Sequence, residues 1–172
     1  LYQRRGSRVG DFDGDGIDDM VVWNMWQEDA ELLVYYGQQQ GSWDEPVVTR
    51  MPRGWNVSGG HTGDLNGDGR DDLALELRSS SNASYLGTML ATGNRQFDPL
   101  VERRSPSGFQ LFGMVDMNAD GIDDWLGTES TSRQRVMTLA GDGSSAWSKT
   151  AGPEIASGEF LRQLVPHDPD QD

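Results

Sequence analysis

The chain of 172 residues has no cysteine, which excludes a disulfide framework and any thiolate metal site but leaves the compartment open. Histidine is nearly absent too, with only His61 and His167. No apolar run approaches the roughly 18 residues of a membrane-spanning helix, so no membrane insertion is expected. Basic residues are scarce, 14 against 28 acidic ones, and the net charge of -14 argues against nucleic acid or an anionic membrane as partner. A cation suits the balance better. G-x-S-x-G, H-E-x-x-H and the phosphate-loop pattern G-x-x-x-x-G-K-[ST] are all missing, and His61, three residues before the second acidic loop, and His167, just before the terminal aspartates, are expected to be loop-packing residues and not general bases, so the expectation is no enzyme. Long amphipathic helical patterns are missing as well. Leu1 opens the chain and no signal peptide is visible, which predicts a mature or excised piece.

What is present is acidic, glycine-rich and repeated. "GDFDGDGIDDM" at residues 10–20 returns as "GDLNGDGRDDL" at 63–73 and as "VDMNADGIDDW" at 115–125, with first aspartates at 11, 64 and 116. After each loop come a β-rich run ("MVVWN", "LALEL", "WLGTES") and a second strand ending in glycine. A large aromatic follows that glycine, Trp43, Phe97 or Trp147, and in-phase recurrence makes these expected core residues. The units fall at about 1–53, 54–106 and 107–157, with a partial fourth at 158–172, where "DPDQD" repeats the opening of the loop. Short strands punctuated by Gly, Asn, Asp and Pro predict about four antiparallel strands per unit. In the strand after the loop adjacent residues are both apolar, as in Met20, Val21 and Val22 or Leu73, Ala74 and Leu75, so both sheet faces are expected to be covered. Stacked blades of a β-propeller meet that requirement. The expected fold is all-β: three complete blades plus the first strand of a fourth, part of a larger propeller.

The loops and the terminal "DPDQD" hold 16 of the 28 acidic residues, leaving 12 acids against 14 bases elsewhere, so the acidity belongs to the loops. Like charges this close repel, and a counter-ion is expected. In D-x-[DN]-x-[DN]-G-x-x-D, the oxygens at positions 1, 3 and 5 converge as the chain curls, the carbonyl at 7 closes the ring, and the glycine at 6 permits the turn. An all-oxygen, charge-rich site selects a hard cation, Ca²⁺ ahead of Mg²⁺. The loop is no EF-hand, because position 12 holds Val22, Leu75 or Gly127 where a bidentate glutamate is needed. An aspartate at position 9 can supply the missing carboxylate. Position 6 is Gly16, Gly69 and Gly121 in the three copies, whereas position 4 is Gly14, Gly67 and Ala119, which marks position 6 as the obligatory turn residue. The aspartates at position 8, Asp18, Asp71 and Asp123, are expected to point away from the ion.

On these residues the chain resembles the FG-GAP/VCBS repeats, the Ca²⁺-binding blades of the integrin α propeller and of many secreted bacterial proteins. With "SGFQLFG" at 107–113 as its trace of a Phe-Gly signature, it is closer to the bacterial type. The resemblance implies that each loop joins the first two strands of a blade and that about three Ca²⁺ ions are held, one per loop. The implied ligands are Asp11, Asp13, Asp15, Ile17 and Asp19; Asp64, Asn66, Asp68, Arg70 and Asp72; and Asp116, Asn118, Asp120, Ile122 and Asp124, with position 7 acting through its carbonyl alone. It also implies secretion or surface display, a structural role for calcium, and an adhesion or protein-interaction module. Two other readings stand beside it: a glycan-binding propeller, for which Trp26 and Trp55 are the aromatics without counterparts in the other repeats, and a non-catalytic part of a larger secreted enzyme or toxin. The partners implied are a protein or glycan ligand and further blades from the parent chain or another chain.

Overall fold

A computed structural model describes residues 5–24, 30–130, 134–141 and 147–154. Its strands form three four-stranded antiparallel sheets and one two-stranded ribbon. The first blade comprises β1 (Arg5–Gly10), β2 (Asp19–Asn24), β3 (Glu31–Tyr35) and, across a small hairpin of β4 (Gly37–Gln38) and β5 (Ser42–Trp43), β6 (Val47–Arg50). The second is β7 (Trp55–Gly63), β8 (Asp72–Ser79), β9 (Ser84–Met89) and β10 (Val101–Arg104); the third is β11 (Phe109–Val115), β12 (Asp124–Ser130), β13 (Gln134–Gly141) and β14 (Trp147–Glu154). Each blade pairs its strands in chain order, so every unit is an up-and-down meander as the repeats predict. Among the described residues there is no helix, hence none long and apolar enough to cross a membrane. Trp26, His167 and the partial fourth unit lie outside the described residues.

The acidic loops link the first and second strands, β1 to β2, β7 to β8 and β11 to β12, where the resemblance puts them. Pairing is in register up to the loop: Gly10 faces Asp19, Gly63 faces Asp72 and Val115 faces Asp124. The loop is thus the closed end of a tight hairpin, and its position-9 aspartate is the first residue of the returning strand.

The blades stack face to face through two apolar layers. One joins blades one and two and holds Phe12, Val21, Trp23, Leu32, Val34, Leu73, Leu75, Leu77 and Met89; the other joins blades two and three and holds Ala74, Leu86, Leu111, Trp125, Met137 and Leu139. Alternation along β8 explains the division, because Leu73, Leu75 and Leu77 face blade one while Ala74, between them, faces blade three. The middle blade is covered on both faces, which is why its sequence reads as a continuous apolar run.

The repeated aromatics do not share one environment. Phe97 packs edge-on against Phe12, with ring centroids 5.5 Å apart. Trp43, expected in the core by its phase with Phe97, is 49% exposed. It sits on the two-residue β5, which pairs only with β4 in a ribbon separate from the four-stranded sheet. Trp147 begins β14, and its side chain is outside the described residues. Trp55 is half-buried and packs on Tyr85 at 4.7 Å between centroids, so it is a packing residue more than an open surface.

Candidate metal centre

Each acidic loop is organised by the carboxylate at its first position. Asp11 Oδ1 accepts hydrogen bonds from the N–H groups of Gly14 at 2.8 Å and Asp15 at 3.2 Å, and its Oδ2 accepts one from Gly16 at 2.8 Å. Asp64 does the same for Gly67, Asp68 and Gly69, and Asp116 for Ala119, Asp120 and Gly121. The position-5 carboxylates, Asp15, Asp68 and Asp120, each accept the N–H of position 7 at 2.8 to 3.0 Å. These bonds span two to five residues, so the sequence of the loop alone dictates them. They hold Asp116 below the usual carboxylate range, the Gly121 N–H contributing most.

Glycine at position 6 is required for the reason expected: Gly16, Gly69 and Gly121 all have φ of 81°. Position 4 is left-handed too, with φ of 79°, 75° and 60° at Gly14, Gly67 and Ala119. Spacing marked only one such position, because the single alanine hid the second. Ala119 carries a cost of about 1 kcal/mol that glycine avoids.

In the first loop the carboxylates of Asp11, Asp13 and Asp15 come within 4.8 Å of one another, a cluster able to hold a metal ion. Asp13 Oδ1 is buried and has no hydrogen-bond partner among the described residues. A buried carboxylate oxygen left without a donor is costly, and a hard cation is the partner its chemistry fits. In the second and third loops the position-3 residues are Asn66 and Asn118, whose amides donate to Asp68 and Asp120 at 2.9 Å. Internal hydrogen bonds thus take up part of the charge there.

The position-9 aspartates are placed differently from the other proposed ligands. Asp19, Asp72 and Asp124 are buried, and Asp19 stands apart from the three-carboxylate cluster. Its Oδ2 accepts the Phe12 N–H at 2.9 Å and its Oδ1 the Gly37 N–H at 2.8 Å. Asp72 repeats this with Leu65 at 3.0 Å and Ala91 at 2.7 Å, and Asp124 accepts the Met117 N–H at 3.1 Å. In the first two blades the carboxylate therefore ties the loop and the start of the second strand to the segment just past the third strand. Each of its oxygens keeps a lone pair for a cation.

Arginine side chains complete the electrostatics, and sequence reasoning missed them. Arg95, on the turn between β9 and β10, crosses from blade two to donate to Asp13 at 3.1 Å, pairs with Asp44 and lies 4.7 Å from the Tyr36 ring centroid. Nothing in "TGNRQF" marks it, since it has no counterpart in the other units. Arg70, expected to act through its carbonyl only, also pairs through its guanidinium with Asp68 and donates to the Ala91 carbonyl at 3.3 Å.

Burial pushes the Asp72 carboxyl up to about 7, and the charges of Asp68 and Asp64 add to this against the lowering effect of the Ala91 and Leu65 N–H groups. Burial likewise raises Asp19. Because the folded value at Asp72 lies above the unfolded one, the folded chain holds a proton that the unfolded chain releases, and this contribution to stability falls as pH rises from about 4 to about 7. His61, lowered to about 4 by burial with Arg8 adding, works in the opposite direction over about 4 to 6.5. Comparison with Asp72→Asn isolates the aspartate. In chelator, the stability of the native sequence relative to that variant should decline between pH 4 and 7 in urea unfolding, and a difference that stays flat or rises contradicts the assignment.

Residues 11–75, from the first loop through the start of β8, match the family model described as FG-GAP-like repeat. No curated protein shows significant similarity to the chain.

Proposed function

We propose that this chain, whose residues 11–75 match an FG-GAP-like repeat and hold two of its three acidic loops, is a calcium-binding extracellular propeller module that presents a rigid surface to a protein ligand. One observation carries the calcium reading: within the Asp11, Asp13 and Asp15 cluster, a buried Asp13 oxygen has no donor among the described residues. The ligands proposed in each loop are the side chains of positions 1, 3, 5 and 9 and the carbonyl of position 7. Bound calcium neutralises the loop and locks the hairpin that starts each blade. Calcium is structural on this reading: an ion that binds only the folded chain, at about twenty times its dissociation constant, adds about 1.8 kcal/mol per site. Extracellular modules bind at about 0.1 to 1 mM, so a compartment permanently rich in calcium suits such sites.

Isothermal titration should count about three ions. Asp19→Asn should weaken the first site markedly, whereas Asp18→Asn should leave that site within about twofold, since the Asp19 carboxylate is buried and held against the loop by the Phe12 N–H while Asp18 is exposed. Three loops empty at millimolar calcium, or a preference for Zn²⁺, rejects the calcium reading; equal losses at residues 18 and 19 reject the ligand register. A glycan-binding role has one observation in its favour, the exposed indole of Trp43. A glycan array separates it from protein binding, with Trp43→Ala as the control expected to abolish any signal. No catalytic role is proposed for any residue.

A further inference from the structure

We infer that the open face of the first blade docks a further blade whose acidic loop begins with Gly-Asp, and that Asp18 is the residue that grips it. The inference builds on the proposed propeller reading and names the partner by its chemistry.

At both described junctions, the position-8 aspartate of the later blade holds the position-1 residue of the earlier blade by two backbone contacts. Asp71 Oδ2 accepts the Asp11 N–H at 2.9 Å, and the Asp71 N–H donates to the Asp11 carbonyl at 2.9 Å. Asp123 holds Asp64 in the same way, at 3.0 Å and 2.7 Å. Ahead of the held residue stands a glycine in each case. A Cβ on Gly10 would lie 2.6 Å from the Asp71 carboxylate oxygen, and one on Gly63 would run into the Asp123 carboxylate. The clamp therefore needs two things: an aspartate at position 8 of one blade and Gly-Asp at the loop start of the blade before it.

Asp18 is the same residue in the first blade, yet it is exposed and has no hydrogen-bond partner among the described residues. The sheet face beside it matches a junction face. Met20 and Tyr35 pair across β2 and β3 as Leu73 and Met89 pair across β8 and β9. Leu73 and Met89 are buried against blade one, whereas Met20 and Tyr35 are only half-buried, as are Val22 and Leu33 beside them. The open face thus continues, by the repeat, an interface that the molecule forms twice.

The chain's own loops do not meet the clamp's second requirement. Gly10-Asp11 and Gly63-Asp64 are already held by Asp71 and Asp123. The third loop has Val115 in the glycine place, and "HD" at 167–168 puts a histidine there. A side chain at that point occupies the space of the incoming carboxylate, so head-to-tail pairing of copies through these loops is blocked. The occupant is a blade with a free Gly-Asp loop start, offering one peptide N–H and one carbonyl to Asp18.

The test adds such a blade to the full chain. A second copy of residues 1–53 placed directly before residue 1 puts Asp18 of the original repeat 60 residues after the added Asp11, the separation of Asp11 and Asp71. The extended protein should unfold at a urea midpoint higher by about 0.5 M or more. Asp18→Ala in the original repeat and Gly10→Val in the added one should each remove the gain, while Asp18→Ala in the unextended chain should scarcely move the midpoint. A gain insensitive to both variants, or no gain, overturns the clamp; a homodimer of the unextended chain, seen by native mass spectrometry and lost with Asp18→Ala, overturns the choice of occupant. Calcium titration of the same proteins reads the metal proposal separately, since a clamp-dependent gain without calcium binding leaves the docking face standing and rejects only the calcium sites.

Discussion

Replacing Asp72 by alanine in the presence of chelator is expected to cost about 2 to 6 kcal/mol, enough to unfold much of the chain. Asp72 is fully buried and its two oxygens accept the N–H groups of Leu65 and Ala91. Alanine leaves both donors buried without an acceptor, at about 1 to 3 kcal/mol each. Against a total stability of about 5 to 15 kcal/mol, that loss is large. Asp72→Asn should cost less, because its amide carbonyl still serves one donor and no charge is buried. Urea unfolding monitored by circular dichroism, with calcium removed, measures the bracing role apart from any metal contribution. If Asp72→Ala in chelator stays within about 1 kcal/mol of the native protein, the position-9 aspartate acts through a cation alone and the bracing role is wrong.

Trp23→Ala is the second change of this size, at about 3 to 5 kcal/mol. The indole is 2% exposed, in the layer where Val21, Leu73, Leu75 and Leu77 bring blades one and two together. Its ring fills the space beside two glycines: a Cβ on Gly6 would overlap it, and one on Gly60 would come 3.4 Å from it. Truncation therefore opens a cavity at a junction whose backbone has no side chain with which to refill it. Because the layer belongs to both blades, they should lose cooperativity together, with a shallower urea transition as well as an earlier one. Trp43→Ala, at the exposed hairpin, should change stability by no more than about 0.5 kcal/mol. Equal effects at the two tryptophans would show that in-phase recurrence, and not burial in the junction, decides which aromatic matters.

The sequence determined by itself whatever is fixed within a few residues or by period. The spacing of the acidic loops set the three units, and the unbroken apolar run Leu73, Ala74 and Leu75 marked a sheet covered on both faces, as the middle blade is, whereas the matching run Met20, Val21 and Val22 raised the same expectation but has only its Val21 side in a junction layer. The loop motif fixed the turn at position 6, since the bonds that Asp11, Asp64 and Asp116 accept reach no further than five residues along the chain. That local determinism is why the segment 11–75 is recognisable as an FG-GAP-like repeat. Tertiary structure decided the rest. The sequence turned Asp71 and Asp123 away from an ion, but their targets lie 60 and 59 residues away on another blade, where no local spacing reports them. Arg95 reaches Asp13 across 82 residues, and a residue without a repeat counterpart leaves no periodic trace. Trp43 shares its phase with Phe97 and not its burial, because exposure depends on the layer above a strand and a repeat period encodes only position along it.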